Sequence, residues 1–537
     1  MAAQQPTTDQ QYGDDVQQAN ERTPLVSQPG ATQGSAKAVS AKRSYLTSLR
    51  SVLNGFPRAR SPNAIVAVLC VSIFIGSASG GFLTIPMTRV FEDILCRQYY
   101  DQPHRHEGPI DEEMCKVDTI QSRLAYLFAI MAALNAGLSC SVALPWGIAA
   151  DRIGRRAVFA LGIIGMSMAA LWIMVVGWFS NSLSPKLLWL SPIFYLLGGG
   201  NPVLAAALQG MVTDVVPESK RSINLMRVHA SSMMGNLVSP ALASIMMKSV
   251  GPWPPLFLSF WMLLITGPLI YLAPESLKHT QEDDVDDSGN STRKGWLFES
   301  FRELKSSATI FKSTSMVLIA ILTMLHLSVV ICTYQFMAQF VSKRYHIPLA
   351  DTGYVQTTYG IAYVGVAFLI LPFVSSAVTS PRIPAVLRIG DERKRDLAFI
   401  RGSMLFGLFG TFILGVSPSL EGFMFGLIVL SLGGAADAYI RSVATLYIAP
   451  EQRSRLFTIL GLVTIASDLW ISPGLAALFS LGMKLGGTWI GLPYFGVSAI
   501  CLVMVVLSVF IRLPGPTHET NSPACDDSDC EENGLLS

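Results

Sequence analysis

The chain is short of charge. Asp, Glu, Lys and Arg make up 14% of its 537 residues, against about 25% in a soluble domain. That deficit excludes an ordinary water-facing globule. There is no G-x-x-x-x-G-K-[ST] phosphate loop, so ATP is not evident as an energy source, and there is no H-E-x-x-H or G-x-S-x-G element. A net charge of +2 gives no global pull towards nucleic acid. No apolar core follows the first methionine closely, so the opening residues do not read as a signal peptide.

Long apolar runs stand in place of the missing charge. Twelve of them, each roughly 18 to 25 residues and enough to cross about 30 Å of hydrocarbon, fall near 64–88, 122–146, 157–179, 187–212, 225–248, 254–273, 315–340, 353–375, 400–417, 420–445, 456–482 and 489–511. The pattern predicts an all-α membrane protein of twelve transmembrane helices. Residues 1–62 read as a disordered tail, 63–273 as a first six-helix bundle, 274–313 as a hydrophilic central loop, 314–511 as a second bundle and 512–537 as an acidic tail.

Basic residues set the orientation. Arg152, Arg155 and Arg156 join segments two and three, Lys220 and Arg221 join four and five, a looser cluster including Arg382, Arg388 and Arg395 joins eight and nine, and Arg453 and Arg455 join ten and eleven. The third, fifth and eleventh connections carry one Lys each (Lys186, Lys248 and Lys484), and the ninth carries none. Both tails and the central loop are therefore expected on the cytosolic side. The first connection departs from the pattern, holding basic residues among more numerous acidic ones.

The two halves repeat. A shift of 233 residues places Ser239-Pro240-Ala241-Leu242 on Ser472-Pro473-Gly474-Leu475, Gly200 on Gly433, and Pro217-Glu218 on Pro450-Glu451. Each match occupies the equivalent place in its half, as parallel repeats related by an axis along the membrane normal require.

Between segments two and three stands Pro145-Trp146-Gly147-Ile148-Ala149-Ala150-Asp151-Arg152-Ile153-Gly154-Arg155-Arg156. Gly147 and Gly154 suit close approach and a sharp turn, Asp151 suits a helix N-terminus, and the arginines suit carboxylates or lipid phosphates. A merely basic loop would explain the arginines but not the ordered Gly, Asp and Gly. The stretch resembles the G-x-x-x-D-R-x-G-R-R/K signature of the major facilitator superfamily. The resemblance implies two pseudo-symmetric six-helix bundles and a gating role for Gly147, Asp151, Arg152, Gly154, Arg155 and Arg156. In the fifth segment, Gly235-Asn236-Leu237-Val238-Ser239-Pro240 is similar to a degenerate form of that family's exporter motif. Ordinary close packing by small residues is the alternative for Gly235, Ser239, Pro240 and their repeats Ser472 and Pro473. The fourth segment lacks the arginine usual in those exporters. The Cys-Arg-Gln-Tyr-Tyr run at 96–100, the Cys115–Asp118 segment and Ala273-Pro-Glu-Ser276 resemble fungal members.

Ionisable residues inside membrane segments are costly and often functional. Asp437 and Arg441 share a helix face four residues apart and suit either a structural ion pair or proton coupling. Asp468 and His326 are further proton-coupling candidates. Asn135, Gln209, Asn236, Gln335 and Gln339 suit a polar cavity or helix-packing hydrogen bonds. Cys96 and Cys115 lie in the connection placed outside the cytosol, where a disulfide between them can persist.

The expected function is secondary active transport by alternating access. By analogy it is proton-coupled efflux of a small amphipathic organic compound, such as a drug, toxin or secondary metabolite. Uptake of a nutrient or organic anion by proton symport is the alternative, and a non-transporting receptor a lesser one. Neither an enzyme nor a cofactor or metal site is expected, and no nucleic-acid partner. A monomer in the plasma membrane, or else in the vacuole or another endomembrane, completes the reading.

Overall fold

Ser61 starts the first helix. Its hydroxyl accepts from the Ala64 amide at 3.3 Å, and Pro62 fills the first helical position, where a missing N–H leaves no gap. The computed structural model describes residues 61–100, 111–273, 313–379, 391–448 and 453–514, and among these the chain is helical with no strand. The expected tails and central loop lie outside the described residues except for their inner ends, as do Pro450 and Glu451 of the repeat.

Twelve elements follow in order. They are α1 Pro62–Tyr99, α2 Asp118–Ile153, α3 Arg155–Trp178, α4 Pro185–Val215, α5 Glu218–Val250, α6 Trp253–Ile270, α7 Thr314–Tyr345, α8 Leu349–Val378, α9 Glu392–Val416, α10 Leu420–Thr445, α11 Arg453–Leu485 and α12 Leu492–Val509. Eleven membrane spans qualify by length and apolarity. The helix left out is α5, which carries Asn224, Arg227, His229 and Asn236 along its length. It lies packed between α1 and α8, with Asn224 buried and Arg227, His229 and Asn236 exposed.

Two helices are broken at matching places. The first part of α4, Pro185–Leu196, is a 3₁₀ helix containing Pro185 and Pro192. Gly198, Gly199 and Gly200 then turn the chain at φ 79°, 80° and 69° before regular helix resumes over Gly200–Val215. Carbonyls without helical partners are expensive at membrane depth. Indoles supply the donors: Trp172 Nε1 to the Leu187 carbonyl at 2.9 Å, and Trp146 Nε1 to the Leu196 carbonyl at 2.9 Å. In the second half, α10 stops at Leu432, passes Gly433 and Gly434, and resumes at Ala436. The 233-residue shift that pairs Gly200 with Gly433 thus pairs two breaks in structure.

The described residues fall within one unit. Within it, α2 packs on α11 and α5 on α8, joining the first half (residues 61–273) to the second (313–514). The second half has its own aromatic knot, in which Phe340 stands 4.7 Å from Tyr494 and 5.8 Å from Phe423 between ring centres. Two π-helical turns interrupt this half, Cys332–Phe336 in α7 and Val366–Ile370 in α8. Such turns often mark functional sites.

Candidate functional site

The Pro145–Arg156 stretch is mostly helix. α2 continues through Asp151 to Ile153, and Gly154 alone makes the turn at φ 110°, a conformation that strains any residue with a Cβ. Asp151 is not the N-cap residue of α3. Gly154 holds the N-cap of α3 without a side-chain bond, and Asp151 sits nearly a turn earlier in α2, its side chain outside the described residues. Nor is Gly147 a point of close approach, since a Cβ there would meet nothing within 4 Å. Arg152 is exposed. Arg155 donates from Nη1 to Asp214 Oδ1 on α4 at 3.0 Å, crossing Gly210, where a Cβ would stand 2.6 Å from its guanidinium carbon. Arg156 donates to the Ala273 carbonyl at 3.1 Å and lies 4.9 Å over the Tyr271 ring. These arginines bind α3 to α4 and to the end of α6.

Small residues on α5 set two helix contacts. A Cβ on Gly235 would come within 2.6 Å of the Phe74 carbonyl of α1. Buried Ser239 packs at Gly81 of the same helix, and the Pro240 carbonyl packs at Gly353 of α8. Thr357 of α8 donates to the Leu237 carbonyl at 3.2 Å. In α11, Ser472 is fully buried and Pro473 half-buried. The 233-residue shift places Asp468 where α5 has Gly235, so a carboxylate occupies the position that the first half keeps bare.

The ionisable candidates fall into two groups, both in the second half. Ser472 donates its hydroxyl to Asp468 Oδ1 and lies 3.3 Å from Gln335 Oε1 in the π turn of α7. Separately, Arg441 Nε donates to Asp437 Oδ2 at 2.8 Å, and His326 stands on the part of α7 that packs against this stretch of α10. The Asp437 and Arg441 side chains are 43% and 35% exposed. Charge in contact with hydrocarbon is costly, which favours a protein-lined, water-accessible surface for them. Beside these groups runs a ladder of Tyr334, Tyr359 and Tyr363, with ring centres 5.8 and 6.2 Å apart, and Tyr363 donates its hydroxyl to the Gly434 carbonyl at the α10 break at 3.1 Å. Such a surface offers flat apolar faces next to groups that can change charge. Of the polar candidates, Gln335 and Gln339 are taken up in hydrogen bonds, Asn135 lies 3.3 Å from Ser139 Oγ, and Gln209 and Asn236 are exposed. Among the described residues no three His, Cys, Asp or Glu side chains gather as a metal-binding group.

The halves are sewn together at the end that carries the connection between α1 and α2. Gln339 donates to the Gln121 carbonyl at 2.7 Å, Lys343 pairs with Asp118 at 2.7 Å, and Lys248 pairs with Asp351. Beneath these contacts Ile85 and Met247 pack against Ala338, Leu349 and Ala350 in a small apolar plug. Cys96 and Cys115 are joined in a disulfide. Glu92 and Gln121 are wholly buried here and did not stand out in the sequence, where the region reads only as acidic. The usable signal is Arg89, three residues before Glu92 at the end of an apolar run.

The family profile of the Major Facilitator Superfamily matches residues 119–390. The chain belongs to this superfamily. It is 28% identical over 482 residues to the MFS efflux pump atnC of Emericella nidulans, covering 85% of this chain and 90% of that protein. It is 26% identical over 474 residues to the MFS-type transporter aprT of Aspergillus flavus, covering 87% and 92%. Its fold matches that of a D-xylose–proton symporter with a TM-score of 0.55 at 13% identity, over 83% of this chain and 98% of that one. The two-fold repeat of the major facilitator fold accounts for the 233-residue shift. The protein is a multi-pass membrane transporter and not an enzyme.

Proposed function

We propose that this transporter exports a small amphipathic organic compound, of the drug, toxin or secondary-metabolite class, in exchange for protons. The bundles 63–273 and 314–511 rock about a central site, with both tails on the cytosolic face and the α1–α2 connection on the far face. The observation that carries the reading is the seam. Its polar and apolar contacts gather at the α1–α2 end, while Asp437, Arg441 and the tyrosine ladder lie deeper in the second half with exposed surface. That arrangement suits a carrier closed on one face and loaded from the other. The efflux pump among the relatives supports the direction.

Asp468 is the first choice for the proton carrier. It is a carboxylate on a membrane-spanning helix, held by one hydroxyl. Asp437 with Arg441 and His326 forms the second choice, and the gating stretch around Gly154 regulates the opposite opening. In sealed vesicles with an imposed pH gradient, substrate is expected to move against the proton flow. Transport indifferent to the gradient would sink the coupling. The substrate is found by comparing the compounds retained in cells with and without the protein.

A further inference from the structure

We propose that the disulfide-bound segment Asp111–Val117 is a latch on the α1–α2 face, and that its working residue is Glu112, which caps α8 of the opposite half and lets go when that face opens. The proposal rests on the alternating-access reading but not on the identity of what is carried.

The first turn of any α-helix leaves amides without partners. In α8 the N-cap is Pro348, which offers no side-chain acceptor. The acceptor comes instead from 237 residues away: the Leu349 amide donates to Glu112 Oε1 at 2.7 Å. A carboxylate also favours the positive end of the helix. Glu112 is held in place by Lys116 at 2.9 Å and Arg89 at 3.5 Å, and Lys116 reaches buried Glu92 at 2.7 Å. Gln121 closes the cluster, donating to Glu92 at 2.6 Å and to the Cys115 carbonyl at 3.0 Å. Two carboxylates thus balance two cations in a desolvated cluster, which resists partial rupture.

The covalent bond decides which contact yields. The Cys96–Cys115 disulfide pins the segment to the end of α1. The segment therefore stays with the first half when the halves part, and the break falls between it and the α7–α8 turn. On that side the contacts are the Leu349 amide, Lys343 with Asp118 and the Lys116 carbonyl, and His346 at 3.9 Å from Glu113. Leu349 links latch to plug. Its amide is capped by Glu112 while its side chain, 1% exposed, fills the apolar seal. Loss of the cap loosens the seal directly.

The test reads the opening itself, in the full chain reconstituted in lipid without substrate or gradient. Spin labels go at Ser182→Cys and Thr488→Cys, exposed positions on the same face, one in each half, with the six cysteines outside the disulfide changed to Ser. Glu112→Met removes the acceptor and the charge at similar size. Glu112→Gln removes the charge and keeps an acceptor. A charge-assisted hydrogen bond to a helix end is expected to shift the ratio of open to closed distances by about tenfold on its loss. Glu112→Met is expected to show that shift and Glu112→Gln a smaller one. Distances unchanged in Glu112→Met overturn the latch, and equal shifts in the two variants overturn the capping role. Should Glu112→Met fail to assemble, Cys96→Ser with Cys115→Ser frees the segment from the other side and must give the same opening. No opening in that chain also overturns the proposal. A chain that moves no compound across a pH gradient can still pass or fail here, so failure of the latch and failure of the transport reading are told apart.

Discussion

Two carboxylates with different surroundings show what single residues contribute. Asp468 lies inside α11, and its side-chain bond is the hydroxyl of Ser472. Asp468→Asn keeps that bond and removes the titrating group. Gradient-driven export in vesicles is expected to fall to background while substrate exchange without a gradient persists. Full gradient-driven activity would take Asp468 off the coupling path. Glu112 lies outside the membrane span. Burial pushes its carboxyl up, but Lys116, Arg89 and the Leu349 amide outweigh burial and hold it below its ordinary value of 4.5. A depressed carboxylate stabilises the closed face above the ordinary range, and that contribution is lost as pH falls through the depressed value. Glu92 behind Lys116, the Lys343–Asp118 pair beside it, and the His346–Glu113 and Lys248–Asp351 pairs at the rim are the other charged groups around it. The distance between labels at 182 and 488 is therefore expected to hold steady down to about pH 5 and to lengthen below it. In Glu112→Met the distance is long at every pH. A parent chain that opens already near neutrality contradicts the assignment to Glu112.

At the scale of elements, glycine does different work in α4 and α11. Gly198 has φ 79°, and a Cβ there would meet the Leu161 carbonyl carbon at 2.8 Å and crowd the backbone of Gly162 more closely still. Gly198→Ala is expected to cost about 1–3 kcal/mol through strain and overpacking. Gly474 lies in regular helix with nothing within 4 Å of a Cβ. Gly474→Ala is expected to gain up to about 1 kcal/mol. Apparent melting midpoints in detergent should move in opposite directions, and a common direction would refute the assignment of the α4 break. The same two helices mark the limit of what the sequence can say. Eleven of the twelve helices are legible as apolar runs because hydrocarbon demands them, and Gly200 with Gly433 is legible as a repeat. That α4 begins as a 3₁₀ helix is not, because it depends on Trp146 and Trp172 donating from α2 and α3. The latch stayed hidden for a related reason. Glu112 looks like one acid among several until the fold brings the Leu349 amide to it from the other half. Asp437 and Arg441, four apart on one helix, needed no such long-range contact to be seen.

For the whole molecule, the question is whether the seam at the α1–α2 face must part for transport. Lys248 at the end of α5 and Asp351 in the first turn of α8 face each other across it. Both are partly exposed, with side chains 46% and 31% accessible, so a bifunctional thiol reagent can reach them once each is Cys. An exposed ion pair of this kind contributes at most about 1 kcal/mol, so Lys248→Cys with Asp351→Cys should fold and transport before treatment. A short cross-link between them is expected to stop export in vesicles, and cleaving the link should restore it. The link adds no bulk to the tyrosine ladder or to Asp468. Arrest would therefore come from preventing the halves from separating, with the site left intact. A substrate-binding measurement on the linked protein checks this, since affinity should survive from the opposite face while turnover does not. If the linked protein keeps exporting, the two halves do not rock apart at this face. The compound would then have to leave by a route that leaves the seam shut, and the latch would be a structural clasp with no part in the cycle.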